Sequence, residues 1–162
     1  MPIQEFDAKT EYKVKPALPH SLAHKPVYAM PYWHFDGMHK RNTDAKYLSV
    51  GLSQWGDTDL SLKIMRHDKQ WSPQSEELPL HRVIDSALFL AKVLLDRENQ
   101  SVEIERNLFV DQKNGFLVMQ ESVTSSEQDR FDNFLEKYDG DLKARFDTLY
   151  QLLSSLKTQG KF

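Results

Sequence analysis

Tyr47-Leu48-Ser49-Val50-Gly51-Leu52-Ser53 and Leu60-Ser61-Leu62-Lys63-Ile64-Met65 are the two runs that decide the fold. Leu48, Val50 and Leu52 alternate with polar or small residues in the first, and Leu60, Leu62 and Ile64 do so in the second. Successive side chains of a strand point to opposite faces, so this period of two predicts strands with their leucine side turned to a core. Gly56-Asp57-Thr58-Asp59 between the runs is turn chemistry, and residues 47 to 67 read as an antiparallel hairpin. A slip of one residue would turn the leucines to water, which fixes the register.

Further strands lie on either side. Lys25 to Met30 is a short strand, with Pro26 at its start, where a missing N–H is tolerated. Pro31 to Asn42 is loop, with a turn at Asp36-Gly37. Val102 and Ile104 alternate with Glu103 and Glu105, and Asn114-Gly115 between Phe109-Val110 and Phe116-Leu117-Val118 is a tight hairpin signal. Residues 1 to 24 carry Pro2, Pro16 and Pro19 with little periodicity and read as an extended arm.

Two segments are helical. Leu80, Ile84, Ala87, Leu88, Ala91, Leu94 and Leu95 recur three and four apart, predicting a core helix over residues 79–96 with that stripe inward. Pro79 suits its first turn, and Ser75 is a candidate N-cap, unless residues 72–77 form a separate turn. Thr124 and Glu127 have capping-box spacing. Phe131, Leu135, Tyr138, Leu142, Phe146, Leu149, Leu153 and Leu156 then keep helical phase through Asp139-Gly140-Asp141. The unbroken phase favours one long helix over about residues 125–157, weakened at Gly140, with a helix pair as the alternative. Thirty helical residues would span roughly 45 Å, longer than a small domain, so the helix is expected to pack on a second subunit.

The expected fold is therefore α+β: an antiparallel sheet of four to five strands, covered on one face by the 79–96 helix and the C-terminal helix. At 162 residues the chain suits one domain, and it contains no cysteine, which excludes thiolate nucleophiles, disulfides and cysteine zinc sites. The formal net charge is -3, with Lys and Arg dispersed, which disfavours nucleic-acid binding. No run is long and apolar enough to span a bilayer, and Met1 to Asp7 lacks the pattern of a secretion signal, so a cytoplasmic location and no membrane partner are expected.

Polar chemistry concentrates in Trp71-Ser72-Pro73-Gln74-Ser75-Glu76-Glu77-Leu78-Pro79-Leu80-His81-Arg82, at a loop-to-helix junction. Glu77, His81 and Asp85 are spaced four apart, and on a helix they would form one polar stripe able to hold a divalent metal, with His67 as a further ligand. A solvated helix face is the plainer reading of that stripe. For catalysis, His81 would be the base and Glu76 or Glu77 the acid. Arg66, Arg82 and Lys63 could hold an anion at the helix start, unless the arginines are neutralised by Glu76, Glu77 or Asp68. Trp71, Gln74, Asn42 and Asp44 complete the candidate ligand-binding set. Trp55, near the hairpin turn, is the tryptophan expected to be exposed.

His24-Lys25-Pro26-Val27-Tyr28, Asp36-Gly37, Asn42 to Lys46, Leu48 to Gly51, Gln54-Trp55, Leu60 to Lys63, Arg66-His67 and Trp71 to Arg82 occur in an order that resembles a family of small uncharacterised bacterial proteins, a domain of unknown function. The resemblance covers residues 20 to about 95. It implies no activity, substrate or cofactor, only that the Asn42 to Lys46 and Trp71 to Arg82 segments belong to one site.

The function expected is that of a non-catalytic binding or interaction protein, homodimeric through the C-terminal helix and without a cofactor. Its small-molecule ligand, if it has one, is not named by any motif. The alternative is a small hydrolase or a metal- or anion-binding enzyme with its site in residues 66–85.

Overall fold

The computed structural model describes residues 12–56 and 58–162. The first eleven residues of the expected arm lie outside the described part. The chain divides into two compact units, one running to Met119 and the other comprising Gln120–Phe162.

The first unit is built on a four-stranded antiparallel sheet: β1 (Lys25–Pro31), β2 (Ala45–Leu52), β3 (Leu60–Arg66) and the three-residue β4 (Glu77–Pro79), in that spatial order. β2 and β3 form the expected hairpin, with Leu52 opposite Leu60 and Ser49 opposite Lys63. Helix α1 (Leu80–Asp96) follows directly from β4, with Pro79 as its N-cap, and packs against β3, β4 and β5 (Ser101–Ile104). β5 pairs with β6 (Phe116–Met119) in a separate two-stranded sheet. The α+β class and the sheet size thus follow the sequence pattern.

Three local expectations give way. The leucine side of the hairpin is not the buried one. Ser49 and Lys63 are 1% exposed and Ser61 is fully covered, whereas Val50 is 37%, Leu52 44% and Leu60 47% exposed. Alternation separates two faces but does not say which is covered. Here the polar face is closed over with its side chains hydrogen-bonded to one another and to backbone carbonyls, and with the second Glu77 oxygen, Oε2, left without a hydrogen bond and facing Lys63 Nζ at 3.6 Å.

The stripe expected inward on α1 is partly outward as well. Leu80, Ile84, Ala91 and Leu95 are exposed, while Lys92 is buried and bonded to Glu105 at 2.7 Å and Asp96 at 3.1 Å. The helix is rotated so that Lys92 reaches the β5 end.

Asn114-Gly115 forms no two-residue turn either. The loop of residues 105–115 takes its left-handed backbone at Asn107 and Asp111. It is closed by the Asn107 N–H on the Gln112 carbonyl and the Phe109 N–H on the Gln112 side chain. Gly115 serves by its lack of a Cβ, which would stand 3.2 Å from the Ile104 carbonyl oxygen.

The second unit is helical: α2 (Ser125–Lys137) and α3 (Asp139–Thr158). Thr124 accepts from the Glu127 N–H and Glu127 accepts from the Thr124 N–H, closing the capping box. The chain bends at Tyr138 (φ -106°, ψ 15°), two residues before Gly140, giving a pair of helices. The Tyr138 N–H on Phe134 O and the Leu142 N–H on Tyr138 O, both 3.0 Å, carry helical bonding through the bend. No residue of Gln120–Phe162 is buried.

Candidate functional site

The register aligns Ala29, Ser49, Lys63 and Glu77 across the four strands, with Gly51 and Ser61 in the adjacent row. Because alternate residues share a face, Ser49, Ser61, Lys63 and Glu77 converge on the covered side of the sheet. His24, just before β1, completes the group. Its Nε2 lies 2.8 Å from Ser49 Oγ and its Nδ1 3.1 Å from Glu77 Oε1 and 3.0 Å from Ser61 Oγ. Ser61 Oγ donates to the same carboxylate oxygen at 2.6 Å, and the Gln54 N–H donates to it at 3.2 Å. Lys63 Nζ stands 3.6 Å from Glu77 Oε2 and donates to the carbonyls of Pro73 and Ser75. Gly51 lets β1 approach: a Cβ there would sit 2.0 Å from the Lys25 carbonyl oxygen.

The electrostatics follow from this packing. Burial pushes the His24 imidazole below its ordinary pKa, more than the Glu77 carboxylate pulls it up. Burial opposes ionisation of Glu77, yet hydrogen bonds from Ser61, the Gln54 N–H and His24 outweigh it and hold the carboxyl below the usual range. A neutral His24 protonated on Nδ1 satisfies every contact: Nδ1–H donates to Glu77 and Nε2 accepts from Ser49. Serine, imidazole and carboxylate in series are the order of groups that activates a serine nucleophile. Such a nucleophile must reach a substrate carbonyl, and Ser49 is sealed under the sheet. The network as it stands ties four strands and the 73–77 loop together.

A second cluster lies at the far end of β3. Arg66 makes a two-pronged pair with Glu76, Nε to Oε2 at 2.7 Å and Nη2 to Oε1 at 2.6 Å, and a further pair with Asp44. The Glu76 hydrogen bond raises the guanidinium pKa, and Arg66 in turn holds Glu76 below the usual carboxylate range. The Ser75 hydroxyl donates to the Ile64 carbonyl rather than capping the helix. Trp71 packs against Tyr47 and His67, with ring centroids at 6.2 and 5.1 Å.

The third feature is an open groove of about 590 Å³ beside the head of α1, lined by Trp55, Asp59, Leu60, Pro79, Leu80, His81 and Arg82. Trp55 is exposed, as its position near the turn implies.

The structure therefore disperses the sequence-stated candidates. Glu77 belongs to β4 and points into the sealed network, so Glu77, His81 and Asp85 form no helical stripe. His67 pairs across to Trp71 in an isolated bridge. Among the described residues no group of three or more His, Asp or Glu is arranged to hold a metal. Arg66 and Glu76 neutralise each other, with Asp44, and Lys63 is taken up by Glu77. Gln74 and Asn42 are exposed. His81 and Arg82 share the groove. The Asn42 to Lys46 and Trp71 to Arg82 segments do meet, through Asp44, Arg66 and Glu76. Sequence reading met His24 only as the first residue of the His24 to Tyr28 segment and took Ser49 and Ser61 for the solvent side. The signal for them is the lysine at the centre of a β-strand pattern, which demands a partner once that face is covered.

These features sit in a chain of α+β class. The chain belongs to a family of unknown function (DUF6530), whose model matches residues 17–158. The match takes in the C-terminal helices as well as the sheet. No curated protein and no solved structure matches the chain. Among the described residues no helix is long and apolar enough to cross a membrane.

Proposed function

We propose that the protein is a non-catalytic interaction protein, homodimeric through α2 and α3. One observation carries this: residues 120–162 include an apolar stripe at helical spacing, and not one of them is buried. Phe131, Phe134, Leu149, Leu153 and Leu156 all count among the exposed large hydrophobic residues. Burying such a side chain is worth about 1.5–3 kcal/mol, so a stripe of this length is a strong drive to associate. Isolated helices of 13 and 20 residues are marginal in water, and tertiary or quaternary packing supplies the rest of their stability. Light scattering on the whole chain at micromolar concentration is the test. The expected mass is twice that of the chain, reduced to one chain in a Leu149→Asp, Leu153→Asp variant. A monomeric mass for the unaltered protein would overturn the reading.

The groove at the head of α1 supports a second reading, a small-anion site. Its volume lies within the range of ligand pockets, and it combines an indole, an apolar floor and the Arg82 guanidinium, with Asp59 opposing the charge. Thermal unfolding in the presence of aromatic carboxylates and organic phosphates tests it. A ligand at a hundredfold excess over its Kd adds about 2.7 kcal/mol to stability, and Arg82→Ala would remove that gain. No shift with any of these anions would rule against this reading.

A further inference from the structure

We propose that Asn114 is a site of spontaneous covalent modification, at which the side-chain amide is exchanged for a carboxylate through a cyclic imide, and that the change loosens the β5–β6 pair. Asn114 and Gly115 are both exposed, at the end of the 105–115 loop where it enters β6. The Asn114 side-chain amide has no hydrogen-bond partner among the described residues. Glycine, with no Cβ, puts the least hindered backbone nitrogen beside it.

That nitrogen is the nucleophile. Solvent hydroxide takes the Gly115 N–H proton, and the nitrogen attacks the Asn114 side-chain carbonyl carbon. The new N–C bond closes the imide ring and the C–N bond to the side-chain amide breaks. The leaving nitrogen takes a proton from water and departs as ammonia. Water then opens the ring. Attack at the side-chain carbonyl gives aspartate. Attack at the backbone carbonyl gives isoaspartate, whose main chain runs through the side chain and is longer by a methylene.

The surrounding bonds favour this asparagine over the others. The Phe109 N–H donates to Gln112 Oε1 at 3.2 Å, and Gln112 Nε2 donates to the Asn114 carbonyl at 2.7 Å. Hydrogen bonds in such a chain polarise one another. Electron density drawn onto the Asn114 carbonyl comes from the Gly115 nitrogen of the same peptide group, so its N–H becomes more acidic. None of the loop's backbone hydrogen bonds uses that N–H. The nitrogens that follow the other asparagines are less available. The Leu108 N–H donates to the Glu105 carbonyl and the Gln100 N–H to the Arg97 carbonyl. Asn133 lies within α2, and Asn42 precedes the β-branched Thr43.

The product does not fit where the reactant sat. A Cβ on Gly115 would stand 3.2 Å from the Ile104 carbonyl oxygen and 3.4 Å from the Arg106 nitrogen, so this point of the chain has little room. Phe116, the next residue, pairs with Ile104, which is 1% exposed. An added methylene just before this contact displaces the start of β6 and moves the Asn114 carbonyl away from Gln112. A pair of only two strands has little reserve against such a shift.

The full chain, held at mildly alkaline pH and digested at intervals, reads the site by mass. Residue 114 should gain the mass of the acid, as aspartate and isoaspartate, several-fold faster than Asn42, Asn99, Asn107 or Asn133. Gln112→Ala should slow the conversion and Asn114→Gln should abolish it. In the converted protein the amides of residues 102–104 and 116–119 should exchange faster, with those of β2 and β3 unchanged. An Asn114 that outlasts the other asparagines would overturn the proposal. Faster conversion in Gln112→Ala would overturn the part given to Gln112, and unaltered exchange in the converted protein would overturn the loosening of β5–β6.

Discussion

Glu77 is the residue on which the first unit turns. Its carboxylate holds His24, Ser61 and the Gln54 N–H on one oxygen and faces Lys63 with the other. Removing one member of a buried charge pair leaves the other uncompensated, so Glu77→Ala should cost about 3–5 kcal/mol in urea unfolding. A cost within the range of ordinary surface substitutions would show that the network is dispensable. The same group sets a pH dependence. His24 has a lowered pKa in the folded protein, so it stays neutral there while the unfolded chain takes up a proton. Stability should therefore begin to fall as pH drops below the ordinary histidine value of about 6.5. Glu77, also lowered, contributes stability above the ordinary carboxylate value of about 4.3 and loses it as pH falls further. Urea midpoints followed from pH 7 down to about pH 2 should decline in two stages, and a His24→Asn variant should lack the first.

Gly51 belongs to the same scale. A methyl group there meets the Lys25 carbonyl oxygen at 2.0 Å, so Gly51→Ala must push β1 off β2. The expected loss is about 1–3 kcal/mol, read from the urea midpoint, and an unchanged midpoint would mean that β1 yields freely. None of this was legible beforehand. The alternation of Ser49, Gly51, Ser61 and Lys63 with aliphatics was plain, but covering depends on segments distant in sequence. His24, the 73–77 loop and the arm carbonyls of Val14 and Pro16 that meet the Tyr47 hydroxyl all come from elsewhere.

At the scale of elements, local chemistry spoke more clearly. The β2–β3 hairpin, α1 and the Thr124 capping box were readable, because turn residues, helical periodicity and caps act within a few positions. Thr124→Ala should remove the hydroxyl that accepts from the Glu127 N–H, while the Thr124 N–H can still donate to Glu127, and cost about 1 kcal/mol of helix stability, seen as fraying of the first turn of α2 by hydrogen exchange. Unchanged exchange there would mean that the cap adds nothing to the helix. The misread elements are those where side chains displaced backbone rules. Gln112 organises the 105–115 loop in place of an Asn-Gly turn, and Lys92 rotates α1 toward Glu105. Glu77 and His81, spaced as helical neighbours, fall on opposite sides of the Pro79 boundary between β4 and α1. That one boundary separates the candidate site into a sealed network and an open groove.

At the scale of the whole molecule, the apolar stripe of α2–α3 is the feature that the chain alone does not explain. Its periodicity was visible in the sequence, and so was the need for something to cover it. The bend at Tyr138 replaces the single helix favoured by the phase, yet keeps the stripe running because helical bonding persists through it. The measurement that tests the central claim most directly is hydrogen exchange over α2–α3 of the full chain, compared between concentrated and dilute protein. Self-association predicts that amides of residues 125–158 lose protection on dilution while those of β2 and β3 do not change. Protection of residues 125–158 that is unaffected by dilution, or absent at every concentration, would contradict it.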